Sequence, residues 1–188
     1  MSNIILASSS PRRLELLSNM GFACTVVKSS YIERQRFISE SPTDYVESMA
    51  LNKGEAVACL YPNSLVLSAD TVVSLGNTIY GKPQSFDHFM KMMKDLSLRT
   101  HVVFTSFAIF YKNKQILKTV STEVTMSYIS DEDIKLYWLS KEPIDKAGGY
   151  AIQGIGGMFV SKLNGSYSSV VGLPQVEVRE EILKLLKV

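Results

Sequence analysis

Four cations and two acids in the first half of the chain stand where ordinary packing does not ask for them. The first group lies in Ala7-Ser8-Ser9-Ser10-Pro11-Arg12-Arg13, between a short apolar run and a helical pattern. A strand that feeds straight into a helix N-terminus aims free backbone N–H groups and serine hydroxyls at whatever lies ahead, and such a place suits an anion. Arg12 and Arg13 fall in the first helical turn, where the helix dipole disfavours cations by roughly a few tenths of a kcal/mol. A phosphate held there would compensate, because guanidinium matches phosphate oxygens two at a time. A capped helix with two solvated arginines fits the same letters.

Lys53 is the second oddity. Val46, Met49, Ala50 and Val57 mark one apolar stripe at helical spacing, and position 53 falls on that stripe. Its ammonium either snorkels out of a partly buried face or points into a cleft from the edge of the core. Asp70 is the third, an acid expected to end the apolar run Ser64–Ala69. Ligands of α/β proteins collect beyond the carboxyl ends of strands, although an aspartate there also serves as a turn cap. Gly81-Lys82-Pro83 holds another lysine in a restricted loop, and the glycines of 145–154 (DKAGGYAIQG) surround one amide, Gln153, able to donate to and accept from a planar base. With Glu33 added, cations at 12, 13, 53 and 82 stand beside carboxylates at 33 and 70. Cations for phosphates, with carboxylates for a hard divalent metal and a water, are the means of hydrolysing a phosphate ester or anhydride.

Other chemistries find little support. The two histidines, His88 and His101, lack an HExxH or paired-cysteine setting, GxSxG is absent, and GIGG at 154–157 has the wrong spacing for a dinucleotide fingerprint. Cys24 and Cys59 are far apart and suggest neither a disulfide framework nor a zinc knuckle. Twenty Lys and Arg against eighteen Asp and Glu leave a net charge of +2, too balanced for a nucleic-acid binder recognised by its field alone. No window approaches the roughly 20 apolar residues of a membrane span, and Ile4–Ala7 is too short for a signal peptide, so a cytoplasmic protein is expected. Asn164-Gly165-Ser166 fits a glycosylation sequon that such a location leaves unused.

The elements that must carry these residues follow from pattern. A buried strand over 4–7 leads to a helix capped by Ser10, opened by Pro11, stopped at Gly21 and buried through Leu14 and Leu17. Ser41-Pro42 opens a second helix, and Ser85 a third that buries Phe89, Met92, Met93 and Leu96. Past Asp70, Val72-Val73 offer a continuation of the same strand, and Gly76-Asn77 turns back into 78–80. Two long strands over 101–111 and 115–128 form a hairpin. Ser130 caps a helix with Ile134, Tyr137 and Trp138, and a closing helix carries Ile182, Leu185 and Leu186. No repeat or linker divides the chain, so one α/β domain over 1–188 with a mixed sheet is expected.

Six ordered blocks span the sequence: LASSSPRRLELL at the start, SADTVV at 68–73, GKP at 81–83, TH at 100–101, DKAGGYAIQG at 145–154 and GSYSSVVGLP at 165–174. In these the chain resembles the Maf family of nucleoside triphosphate pyrophosphatases. The resemblance implies an elongated mixed sheet flanked by helices, of the inosine triphosphate pyrophosphatase-like type, with two lobes, a central cleft and often a homodimer. It implies hydrolysis between the α- and β-phosphates of a nucleotide to the monophosphate and pyrophosphate, a house-cleaning activity, with Mg²⁺ or Mn²⁺.

Carried over by position, the resemblance makes Asp70 the proton acceptor and Asp70 with Glu33 the metal ligands. Ser8, Arg13, Lys53 and Lys82 then bind phosphates, and Arg12, Thr71 and Gln153 select the base. The glutamine at 153 favours the branch acting on dTTP and UTP, with CTP and modified pyrimidines as further candidates. The 7-methyl-GTP branch places a glutamate nearby, and a nucleotide-sensing protein acting in cell division is the alternative outside enzymes. Two departures stand out. Leu98 replaces a usual glycine, and Arg34 stands where a second acid often follows Glu33, leaving one carboxylate fewer for a metal.

Overall fold

A computed structural model of the chain describes residues 4–37 and 39–187. Strand β1 (Ile4–Leu6) pairs in parallel with β2 (Cys24–Val26) and with β3 (Leu65–Leu75). All three residues of β1 are buried, as a continuous apolar run flanked by parallel neighbours demands. Strand β4 (Thr78–Tyr80) folds back antiparallel on β3 through Gly76, whose φ of 58° suits glycine. Strands β5 (Thr100–Tyr111) and β6 (Lys114–Met126) are neighbours joined through Lys112 and Asn113, and β7 (Val160–Asn164) pairs antiparallel with β6. The mixed sheet runs β2-β1-β3-β5-β6-β7, with β4 on β3.

Six helices accompany it among the described residues: α1 (Pro11–Asn19), α2 (Pro42–Ala58), α3 (Phe86–Leu96), α4 (Asp131–Leu139), α5 (Tyr167–Val171) and α6 (Gln175–Leu186). Side chains of Ser41, Ser85 and Ser130 cap α2, α3 and α4, the last in a full capping box with Asp133. Between α4 and β7 the backbone makes only short 3₁₀ turns, over 142–145, 147–149 and 155–159. None of the described helices is long and apolar enough to cross a membrane.

Two expectations need correction. Strand β3 does not stop at Asp70 but continues to Leu75, the continuation that Val72-Val73 offered, because the β-branched run Thr71-Val72-Val73 sustains the extended backbone. Asp70 is therefore mid-strand. In α1 the buried residues are Leu16 and Leu17, while Leu14 is 37% exposed. A face centred between 16 and 17 leaves position 14 at its margin. Strand β7 had no clear sequence signal, since VSKLN carries exposed polar residues and is held mainly by its pairing to β6.

The chain forms two compact units, each assembled from separate stretches. The first comprises residues 1–70, 105–120 and 172–188, the second 71–104 and 121–171. In the first, Ile5, Ala7, Val57 and Val66 pack with Val27, Ala58 and Phe110. In the second, Phe89, Met93 and Leu96 of α3 meet Ile134 and Tyr137 of α4 and Val103, Val124 and Met126 of the strands.

Candidate functional site

Helix α2 aims Lys53. Val46, Met49, Ala50 and Val57 bury its apolar stripe as their spacing predicts, and Gly54 lets the helix lie flush on the strands. A Cβ at position 54 would stand 2.4 Å from a Phe110 ring carbon and 2.5 Å from Ser68 Oγ. The Ser68 hydroxyl donates to the Ala50 carbonyl at 2.7 Å, pinning α2 to β3. Ser68 and Asp70 share one face of β3 by the period of two. The face that holds the helix therefore also carries the acid.

Lys53 Nζ donates to Asp70 Oδ1 at 2.6 Å, with the two side chains 13% and 14% exposed. The same ammonium lies 2.6 Å from Glu33 Oε1, a side chain that is 62% exposed. Lys53 does not snorkel to water; two carboxylates hold it inside. Burial raises the Asp70 carboxyl above the ordinary aspartate range, against the opposing pull of Lys53 and Arg13. Arg13 is coupled electrostatically to Asp70 and Glu33; burial lowers its pKa, Asp70 opposes that, and a guanidinium stays charged throughout.

Arg13 is held by a short relay. Its Nε donates to the Gly172 carbonyl at 2.9 Å and its Nη1 to Ser8 Oγ at 3.3 Å. Ser8 Oγ also accepts the Ser10 backbone N–H at 3.2 Å. Ser10 has the backbone of an N-cap but no capping side-chain bond, so the hydroxyl serving this turn is that of Ser8. Arg12 is half-buried on α1. Arg34, the departure beside Glu33, turns away from the acids: it pairs with both oxygens of Glu40 at 2.5 and 2.9 Å and stacks 4.4 Å over the Phe37 ring. Tyr45 of α2 donates its hydroxyl to the Arg34 carbonyl at 3.0 Å, tying the loop that bears Glu33 to the helix that bears Lys53.

Ser8, Arg13, Glu33, Lys53 and Asp70 thus form one linked set in the first unit. Thr71, Lys82 and Gln153 belong to the second. Thr71 is half-buried in β3, Lys82 exposed after Gly81, and Gln153 exposed in the glycine-rich stretch. The Gly148 N–H donates to the Gly81 carbonyl at 3.1 Å, fastening the Lys82 loop to that stretch.

Two pairings in the second unit carried no sequence signal. Glu142 accepts from Ile155 N–H at 3.0 Å, Gly156 N–H at 3.0 Å and the Tyr137 hydroxyl at 2.7 Å. Burial would raise its pKa, but these hydrogen bonds outweigh it and hold the carboxyl below the usual range. His101 Nε2 meets the Tyr150 hydroxyl at 2.7 Å, both residues buried. Desolvation lowers His101 to about 4, so the ring is neutral at pH 7.

Asp70 and Glu33 converge on a single positive charge, and a hard dication prefers such oxygen donors. Among the described residues no group of three or more His, Cys, Asp or Glu gathers. A cation such as Mg²⁺, which takes one or two carboxylates and completes its shell with water and phosphate, is compatible with that pair.

The family profile described as Maf-like protein matches residues 3–185. A dTTP/UTP pyrophosphatase of Salmonella typhimurium is 46% identical, covering 96% of this chain and 91% of its own length. One from Pseudoalteromonas translucida is 44% identical over the whole of both chains, and one from Vibrio parahaemolyticus 41% identical over 98% and 97%. Among solved structures, the Ham1 protein of Staphylococcus aureus shares 12% identity over 66% of this chain and 72% of its own, with a TM-score of 0.47, a loose and partial likeness.

Proposed function

The chain belongs to the Maf family, and from that premise we propose that it is a dTTP/UTP pyrophosphatase, cleaving the bond between the α- and β-phosphates to leave the nucleoside monophosphate and pyrophosphate. The observation that carries this reading is the withdrawn Lys53–Asp70 pair with Glu33 on the same ammonium and Arg13 coupled to it. A site that only bound phosphate would need the cations; it has no use for a buried carboxylate of raised proton affinity among them.

In this reading Asp70 takes one proton from the attacking water while the water oxygen bonds to phosphorus and the bridging P–O bond breaks, its electrons leaving with pyrophosphate. A carboxyl pushed upward by burial is a better base near neutral pH than an ordinary aspartate. Lys53 holds that carboxylate in place before substrate arrives and is near enough to attract phosphate oxygens afterwards. Arg13 is fixed through Gly172 and Ser8, and its guanidinium, the Ser8 hydroxyl and the Lys82 ammonium are the groups assigned to the phosphates by their place in the family pattern. Asp70 and Glu33 would hold the divalent cation. When bound, that ion supplies charge that acidifies water and neutralises the departing pyrophosphate.

Base choice falls to Arg12, Thr71 and Gln153. An amide can donate to O4 and accept from N3–H of uracil or thymine, which a carboxylate cannot do. Modified pyrimidine triphosphates and CTP extend the same class, and action in the cytoplasm as a homodimer belongs to the same reading.

The test is a substrate panel. Purified protein is incubated with dTTP, UTP and 7-methyl-GTP with Mg²⁺ or Mn²⁺, and the products are separated. Pyrophosphate and monophosphate from the pyrimidine nucleotides are expected. Orthophosphate, a preference for the methylated purine, or tight binding of intact dTTP without hydrolysis would each overturn the assignment.

A further inference from the structure

The glycine-rich stretch 154–157 resembles an anion cradle, since successive N–H groups at the start of a short turn point to one place. The chain fills that place itself. The Glu142 carboxylate receives Ile155 N–H on Oε2 and Gly156 N–H on Oε1, and Oε1 also receives the Tyr137 hydroxyl. It lies so close to Gly154 that a Cβ there would come within 2.4 Å of Oε2. Tyr137 is buried in the core with its ring beside Phe89 and Phe159, and its hydroxyl oxygen accepts the Ala151 N–H at 3.2 Å. Gly157 N–H closes the turn on the Gly154 carbonyl at 3.1 Å.

The consequence concerns Gln153. On its N-terminal side Ala151 is tied through the Tyr137 hydroxyl to Glu142; on its C-terminal side Ile155 and Gly156 are tied to the same carboxylate directly. The backbone on both sides of an exposed glutamine is therefore set by one half-buried acid anchored to α4. We propose that Glu142 is a positioning residue for substrate choice, holding the backbone from which the Gln153 amide reaches the pyrimidine edge. It rests on the reading of Gln153 as a base-selecting group. Fixing that backbone beforehand spares the ordering cost on binding, so the loss of Glu142 weakens recognition of the right base more than it slows the chemistry.

The experiment compares kcat/KM for dTTP and dGTP in the wild type, Glu142→Ala, Glu142→Gln and Gln153→Ala, with hydrogen exchange of the 151–157 amides in each. Glu142→Ala should lower the dTTP/dGTP ratio about tenfold, on the scale of one lost positioning contact, through a raised KM for dTTP with kcat nearly kept, and should speed exchange at Ile155 and Gly156. Glu142→Gln keeps one acceptor oxygen and should fall between. Should Glu142→Ala fail to fold, Glu142→Gln and Tyr137→Phe, which removes the hydroxyl bonded to both Glu142 and Ala151 and keeps the ring, decide by the same ratio. An unchanged ratio in the Glu142 variants, while Gln153→Ala lowers it, overturns the positioning role alone. An unchanged ratio in Gln153→Ala overturns the base-selection reading, and the positioning role with it.

Discussion

Lys53 Nζ stands 2.6 Å from Asp70 Oδ1 in a pair largely withdrawn from water, seventeen residues apart in sequence and brought together by a helix pressed flat on a strand. Such a pair does little for net stability, because desolvating two charges costs about as much as their attraction returns. In the function proposed here, that pair is held ready for a charged substrate.

Asp70→Asn keeps the shape of the side chain and removes the proposed base. Turnover of dTTP should fall by about 10² or more while the thermal midpoint stays close to wild type. Steady-state kinetics and a melting curve check both halves, and near-normal turnover would remove Asp70 from the role.

Lys53→Met restores the apolar stripe of α2 but leaves Asp70 without its nearest counter-charge. Burial then acts with less opposition, so the Asp70 pKa rises further and the acid limb of the pH profile of kcat/KM moves to higher pH. Residual activity measured from pH 5 to 9 shows the direction of the move.

Gly54→Ala would be stabilising on helix propensity alone. Here the added Cβ runs into the side chains of Phe110 and Ser68, so these must move or α2 must lift from β3. Denaturant unfolding should show a loss of roughly 1–3 kcal/mol, with a fall in activity as Lys53 moves away from Asp70.

His101 contributes an acid sensitivity unconnected with catalysis. Its folded pKa of about 4 lies below the unfolded value of 6.5, so between those values the unfolded chain binds the extra proton. Stability is full above pH 6.5 and falls as pH drops towards 4, by about 3 kcal/mol in all. His101→Gln, which can still bond Tyr150 but cannot titrate, should flatten that dependence in melts taken from pH 4 to 7.

Leu98 has a φ of 57° and is 68% exposed. That left-handed backbone costs a branched side chain about 1 kcal/mol, which is a physical reason for a glycine to suit this position. Leu98→Gly should leave stability unchanged or raise it by up to about 1 kcal/mol, read from the denaturant midpoint; a clear loss would show that the exposed side chain packs on something.

Local order was legible in the chain because its causes are local. Serine caps at 41, 85 and 130, Pro11 after Ser10, and apolar residues at helical spacing in α2 and α3 act within a few residues and survive in the structure unchanged. Lys53 was visible as an anomaly for the same reason, as its stripe is defined by neighbours one and two turns away. What it meets was not. The contact with Asp70 depends on how closely α2 approaches β3, and that is decided by Gly54 against Phe110, a residue more than fifty positions away. Asp70 itself was misplaced at a strand end because a lone carboxylate within an apolar run looks like a stop until its counter-charge is known.

Glu142 marks the limit most plainly. It bonds backbone N–H groups, which every residue but proline offers, so no side-chain type at 155 or 156 announces the partnership. The sequence by itself determined most of the helices, the long strands, the charges available and the family blocks, but not β2 or β7. Tertiary structure alone decided which charges face each other, because burial and hydrogen bonding act through space, where a separation of a hundred residues can close to less than 3 Å.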